Sequence, residues 1–471
     1  MAGGDPKDTE QAPAEGPRRL DRREMLMGLS TVPALGIFGY AWQKQRQYQQ
    51  ARVEGPAAAA AGVREVNVAL IGAGAQGQVL TDAMLRIPGL RFRAVCDVWT
   101  EYNQKRVVNI LKRFKHEVNG YEDHREMLDR EKEIEAVVVA TPDFWHARHA
   151  VDCLKAGKHV YCEKEMSNTV EGARAMVAAA RETGRLLQIG HQRRSNPRYL
   201  HCYEKLLGEA KLLGRIVTVS GQWNRAVAPD LGAPDRYAIP EARLRQYGFK
   251  DMHQFRNWRW YKGLGGGPIV DLGSHQIDIY TWFLGANPSH VLASGGLLYH
   301  DPKTHEWYDT VMAVFDYETT QGPVKAFYQT QTTNGSQGYF ENFMGDQGTL
   351  LISESEMYGA RLYRDTNAPA WDPWVQKGYV SAPKVQEAQE KTEGVLDVRE
   401  SVSPDEHLVS IVMRDPYHQA HLQNFFDAVR GTATLNCPPE VGYESAVSVL
   451  KVNEAIESKS GLSFSPADFQ I

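Results

Sequence analysis

A chain of 471 residues, 42% hydrophobic and 24% charged, exceeds one ordinary core and reads as two packed globular units plus an extra segment. Lys and Arg number 53 against 58 acidic residues, and a formal charge of -5 gives no electrostatic case for nucleic acid as a partner. The five cysteines, Cys96, Cys153, Cys162, Cys202 and Cys437, are odd in number and lack paired spacing, so buried apolar roles are expected rather than disulfides or a zinc site.

At the N-terminus, Arg22 and Arg23 precede an apolar stretch to about Trp42 that Gly28, Ser30, Gly36 and Gly39 dilute. That order predicts a twin-arginine-type export signal and a periplasmic or otherwise exported protein. The nearest small-residue run, Ala57 to Ala61, lies well past the apolar stretch, so an uncleaved N-terminal membrane anchor is the alternative. Residues 1–64 are thus read as signal and linker.

From Val66 a short buried-strand pattern runs directly into Gly72-Ala73-Gly74-Ala75-Gln76-Gly77, followed by a helical stretch from Val79 to Arg86. A glycine fingerprint between strand and helix predicts a Rossmann dinucleotide site, with backbone and helix N-terminus facing the pyrophosphate. A second strand, Phe92 to Cys96, ends in Asp97. A carboxylate there accepts from ribose hydroxyls and repels a 2'-phosphate, which favours NAD, with NADP as the alternative.

Further strands are expected at Ala136 to Ala140, His159 to Cys162 and Leu187 to Gly190, alternating with helices through Leu154 and from Val170 to Thr183. Thr141, Pro142 and His146 follow one strand, Glu163 and Lys164 the next, and Gln192 the third. Loops at strand carboxyl ends form the ligand crevice of a parallel sheet, so these six are candidate cofactor contacts.

Beyond Arg215 the chain is Thr- and Val-rich, at Ile216 to Val219, Val311 to Phe315 and Lys325 to Thr333, predicting a mainly antiparallel sheet covered by helices. The expected fold is α/β: a Rossmann domain over 65–190, then an α+β substrate domain over 191–471. Its C-terminal helices, Pro416 to Val429 and Glu444 to Ile456, are expected to pack back near the first domain. Residues 226–256 and 355–410 exceed ordinary loop length and are expected to shape the substrate mouth or an oligomer contact.

These residues together resemble the Gfo/Idh/MocA family of oxidoreductases. The carriers are the glycine fingerprint, Ala140-Thr141-Pro142, Glu163-Lys164, Gly190-His191-Gln192-Arg193-Arg194, Asn257-Trp258-Arg259-Trp260, and the run from Asp271 through His275 to Asp278. Glu165 departs from the family's usual proline after the lysine. Asp271 and His275 are four apart in a stretch reading as helix, hence on one face. The resemblance implies that His275 is the base for a sugar hydroxyl, that Asp271 touches a substrate hydroxyl or steers the imidazole, and that Lys164 hydrogen-bonds the reacting oxygen. It also implies a homo-oligomer formed through the open face of the second sheet.

Arg193, Trp258 and Arg259 are candidate sugar contacts, an indole face covering a sugar ring and a guanidinium reaching hydroxyls, with domain packing an equal explanation for Trp258. The pairs His146/His149 and His418/His421 lack a third close ligand, and no metal is expected. The leading expectation is hydride transfer between NAD and a sugar, polyol or glycoside carbon. An NAD-dependent glycoside hydrolase and a non-catalytic sugar or nucleotide sensor are the alternatives.

Overall fold

The structure, a computed structural model, describes residues 62–384, 404–413 and 415–471, so the expected export signal lies outside the described residues. The first half builds a six-stranded sheet from β1 (Val66–Ile71), β2 (Leu90–Cys96), β3 (Asn119–Tyr121), β4 (Ala136–Val139), β5 (His159–Cys162) and β6 (Leu187–Ile189). All neighbours pair parallel, in the order β3-β2-β1-β4-β5-β6. Helices α1 (Ala75–Met84), α2 (Lys105–Arg113), α3 (His124–Arg130), α4 (Asp143–Lys155) and α5 (Val170–Thr183) make the crossovers. β1 and β4 are apolar at almost every position because helices cover both faces of the sheet. The strand order reverses direction between β1 and β4, and in an open α/β sheet the strand carboxyl ends at such a point are where a ligand binds. The short β3, Asn-Gly-Tyr, was not expected from sequence; it is a polar edge strand with no apolar alternation to read.

After α6 (Pro197–His201) the chain enters a larger sheet through β7 (Ile216–Asn224), then passes the short helices α7 (Glu241–Gln246) and α8 (Met252–Arg256) and the long α9 (Gly267–Leu284). The sheet continues with β8 (Pro288–Gly296), β9 (Thr310–Thr319), β10 (Gly322–Gln331), β11 (Tyr339–Gly345), β12 (Gly348–Ile352) and β13 (Ala360–Arg364). The helix α10 (Asp372–Gln376) and strand β14 (Asp405–Leu408) follow, then α11 (Gln419–Val429), α12 (Pro439–Ser458) and β15 (Leu462–Ser463). The order is β14-β13-β12-β11-β7-β10-β9-β8-β15, antiparallel except for the parallel β7/β10 pair. The fold is therefore the expected α/β class, a parallel Rossmann sheet followed by a mostly antiparallel one.

α9 and α12 cover one face of the large sheet, whose inward residues, such as Phe315, Tyr317, Ala326 and Phe343, are buried. The opposite face stays open, and Leu292, Val314 and Phe327 stand exposed side by side across β8, β9 and β10. α11 returns to the first sheet, where Leu422, Phe425 and Phe426 share an apolar core with Val68, Leu70 and Phe92. The stretch 355–410 differs from the long polar loop expected: β13 and β14 in it extend the sheet edge, while 385–403 fall outside the described residues. All five cysteines are buried and free.

Candidate active site

The glycine loop is built for close approach. Gly72 has φ +93°, and a Cβ there would lie 2.6 Å from the carbonyl of Ala140; a Cβ on Gly77 would lie 1.9 Å from the oxygen of Gly72. Thus α1 can start against the strand ends only with glycine at both places. Gly74 caps α1 without any side-chain hydrogen bond, and its first turn holds no acid, so the backbone N–H groups of Ala75, Gln76 and Gly77 are offered to an anion. Gln76 itself turns sideways, its amide nitrogen 3.0 Å from Nε2 of His418.

Asp97 closes the other side of this loop. It accepts from the backbone N–H of Ala73 and of Trp99, both at 2.7 Å. Burial raises its carboxyl, and these bonds, with one from Asn103, oppose the rise. Three bonds on about four acceptor sites leave one free, as ribose recognition requires. The cradle of glycines, an uncapped helix start and a strand-end carboxylate fits a dinucleotide such as NAD.

Thr141, Pro142 and His146 occupy the loop after β4 as expected. Thr141 Oγ1 lies 3.1 Å from His149 Nδ1, and Pro142 is the N-cap of α4. His146 is fully enclosed, with Nδ1 and Nε2 each 2.6 Å from the carbonyl oxygens of Glu165 and Thr141. Its imidazole therefore ties the β4 loop to the β5 loop instead of reaching into the cleft, a correction to its reading as a cofactor contact. Burial lowers its pKa to about 4 against these two contacts, so the ring is neutral near pH 7 and donates to one of the two carbonyls.

Glu163 is likewise buried, 3.3 Å from the Tyr161 hydroxyl, and packs where Gly190 lacks a side chain. Glu165, the residue in place of proline, is buried too; it follows a cis Lys164–Glu165 peptide and accepts from the Met166 N–H at 2.7 Å. Gln192 and Arg193 are also redirected. Gln192 donates weakly to Glu354, and Arg193 is locked between Glu354, at 2.9 Å, and Glu341. With its guanidinium stacked near Trp223 and Tyr339 and almost no exposure, Arg193 supports the floor and does not face a sugar, which corrects its assignment. Gln192, buried beside the same carboxylate, is corrected in the same way.

Lys164, Asp271 and His275 do converge. The Lys164 ammonium donates to the Asp271 carbonyl at 2.6 Å and lies 3.3 Å from its Oδ1. Arg259 donates to the same Oδ1 at 2.9 Å, and Arg225 lies 3.7 Å from Oδ2. Burial alone would raise Asp271, yet Arg259, Lys164 and Arg225 together hold it well below the usual carboxylate range. Among the described residues no hydrogen bond joins Asp271 to His275, so the carboxylate answers to cations and does not steer the imidazole. His275, one turn along α9, packs beside Trp223 with ring centroids 5.4 Å apart, and its Nδ1 is buried without a hydrogen-bond partner. Burial, reinforced by Lys164, Arg193 and His191, pushes its pKa well down and leaves a neutral ring.

Trp258 is packed with Trp99, Leu244, Phe249 and Tyr261, the packing alternative, and lends its ring to Arg259, whose guanidinium sits 4.3 Å above it. The aromatic wall of the cleft is instead Trp223, stacked on Tyr339 at 4.3 Å; neither carried a sequence signal, since their place depends on strand pairing between β7 and β11. Two charged residues were also missed. Arg225 directly follows β7, and Asp143 begins α4, buried, with its carboxyl raised by desolvation to about 7 against the pull of Arg259 and Lys164. The residues 226–256 fold over the carboxyl ends of β2, β3 and β4: Trp99 donates to the Tyr237 carbonyl, Trp145 to that of Tyr247, and Arg243 and Tyr247 both bind Glu122. They cover the side of the sheet on which Asp97 and Trp99 lie.

Comparison with known proteins agrees with this layout. Residues 66–191 match the profile of an oxidoreductase family with an NAD-binding Rossmann fold, GFO/IDH/MocA, and residues 205–351 match the GFO/IDH/MocA C-terminal domain. Inositol 2-dehydrogenase of Rubrobacter xylanophilus is 31% identical over 42% of this chain and 52% of its own length, so the alignment spans about half of that relative. Levoglucosan dehydrogenase of Pseudarthrobacter phenanthrenivorans is 25% identical over 63% of this chain and 72% of its own. A levoglucosan dehydrogenase solved with NADH and levoglucosan shares the fold at 17% identity, with a TM-score of 0.63 over 85% of this chain and 100% of that one. The two profiles together span more than half of the 471 residues, and the chain belongs to the GFO/IDH/MocA oxidoreductase family.

Proposed function

We propose that this protein is an NAD-dependent oxidoreductase acting on a hydroxyl-bearing carbon of a sugar, polyol or glycoside. The observation that carries this is the convergence of Lys164 and His275, a fixed cation and a neutral imidazole, on one cleft beside the dinucleotide cradle. Bound through the glycine loop and Asp97, NAD supplies the acceptor for the hydride that leaves the carbinol carbon. His275 takes the hydroxyl proton, since burial keeps its ring neutral and able to accept one. Lys164 donates to the reacting oxygen and stabilises the negative charge that grows there before the carbonyl forms. Asp271 holds Lys164 in position through two contacts.

Inositol 2-dehydrogenase and levoglucosan dehydrogenase, the named relatives, support a carbohydrate substrate. Arg22-Arg23 and the apolar stretch behind them support export by a twin-arginine-type route, with the segment removed or kept as an anchor. The exposed Leu292, Val314 and Phe327 support a homo-oligomer closed through the open sheet face. Mass spectrometry of nucleotide released on denaturing the purified protein, together with nicotinamide absorbance on adding sugars, tests the activity. NAD bound and reduced by a sugar is expected; failure to bind NAD or NADP would overturn the proposal.

A further inference from the structure

The charge of the cleft mouth carries an inference that rests on the oxidoreductase reading and narrows its substrate. Arg225 and Arg259 approach Asp271 from different elements, and their side chains remain 49% and 45% exposed, against 19% for Asp271 and 11% for Lys164. The other carboxylates nearby, Asp143 and Glu163, are buried beneath them. Three cations thus share the two oxygens of Asp271, and the groups presented to solvent are the cationic ones.

Both guanidiniums are pre-oriented. Arg225 lies 5.2 Å over the ring of Trp223, and Arg259 lies 4.3 Å over that of Trp258. Arg259 spends one N–H, at Nε, on Asp271; its terminal nitrogens, and the whole side chain of Arg225, make no hydrogen bond among the described residues. Arg225 and Arg259 also repel one another across Asp271. A neutral polyol leaves that repulsion in place, whereas an oxyanion between the two forks relieves it and accepts paired N–H donors. Trp223 touches both Arg225 and His275, so the anion site and the base lie against one indole.

We propose that the sugar oxidised by this protein carries an oxyanion, a carboxylate or a phosphate, held by Arg225 and Arg259 at the cleft mouth while its carbinol meets Lys164 and His275.

The test uses the full-length protein with NAD and matched sets of neutral hexoses and polyols, hexuronates and hexose phosphates, reading nicotinamide reduction. An anionic sugar is expected to exceed its neutral parent in kcat/KM by ~10-fold or more, and its KM should rise with ionic strength. Arg225→Gln and Arg259→Gln should each raise KM for that sugar by ~10-fold or more, with Arg225→Lys recovering part of the loss. Whether hexuronates or hexose phosphates are turned over decides between carboxylate and phosphate. A neutral parent used as well as its anionic partner, or a salt-independent KM, would overturn the inference while leaving the oxidoreductase reading intact. Calorimetric titration of hexuronates and hexose phosphates into NADH-loaded protein provides a readout without turnover. Binding lost in Arg225→Gln, with no nicotinamide reduced by any sugar, would keep the anion site and sink the catalytic reading; no binding by either class would overturn the inference.

Discussion

Lys164 donates to the main-chain oxygen of Asp271 at 2.6 Å and stands 3.3 Å from its carboxylate, joining the loop after β5 to the helix that carries His275. The ammonium is thereby aimed before substrate arrives, as a donor to a developing oxyanion must be. Lys164→Met is expected to lower kcat by about 10²- to 10³-fold with little change in nucleotide affinity. Steady-state kinetics beside a fluorescence titration of NADH checks this; a variant that loses nucleotide binding but not kcat would assign Lys164 to the cofactor instead.

Two groups divide the pH dependence of turnover. His275 is held well below its ordinary pKa, so it stays a competent base until the pH falls far below 6.5 and contributes no limb near neutrality. Asp143 is raised to about 7 and ionises in the working range. Its negative charge faces Arg259 and Lys164 and weakens the field with which the lysine stabilises the reacting oxygen, so kcat should fall as pH rises through about 7. Asp143→Asn should remove that fall, and an unchanged inflection in this variant would place the titrating group elsewhere.

A methyl group at Gly77 has nowhere to go, because the oxygen of Gly72 stands 1.9 Å from the position it would take. Gly77→Ala must push α1 off the strand ends and spoil the phosphate cradle, at a cost of ~2 kcal/mol or more in stability. Thermal melts with and without NAD check this: a lower Tm and no NAD-induced shift are expected, and a wild-type shift would refute the close-approach argument.

Stability against pH should show opposing slopes. His146 and His191 are lowered to about 4 and His421 to about 3 by burial. In the unfolded chain they bind protons below 6.5 while the folded rings do not, so stability is present above that value and lost as pH falls towards 4. Glu165 behaves oppositely: burial raises it to about 8, the folded state keeps a proton the unfolded state has released, and stability falls as pH rises from 4.5 to 8. Denaturant midpoints from pH 6.5 to 8.5 should decline in the wild type and decline less in Glu165→Gln. Equal slopes would show that Glu165 does not titrate as described.

The Rossmann half was legible in the sequence because each of its signals is local: a β1 apolar at all but Asn67, glycines within six residues, and Asp97 at the end of the next strand. Lys164, Asp271 and His275 followed from motif resemblance, and the structure brings them together. What was illegible depends on partners far along the chain. Arg193 looked like a sugar contact because Glu341 and Glu354, some 150 residues on, cannot be paired with it from spacing. His146 is captured by two carbonyl oxygens, which no side-chain pattern announces. Trp223 and Arg225 reach the cleft only because β7 lies at the centre of a sheet whose order departs from sequence order. Trp258 was open between packing and recognition, and the apolar cluster on residues 226–256 decides for packing.

The most direct test of the central claim is a single-turnover reduction of protein-bound NAD by sugar, followed at the nicotinamide band in the wild type and in His275→Ala. Reduction in the wild type, slowed about 10²- to 10⁴-fold in a variant that still binds NAD, is the predicted result. Equal rates in both proteins, or a wild type that binds neither NAD nor NADP, would contradict it.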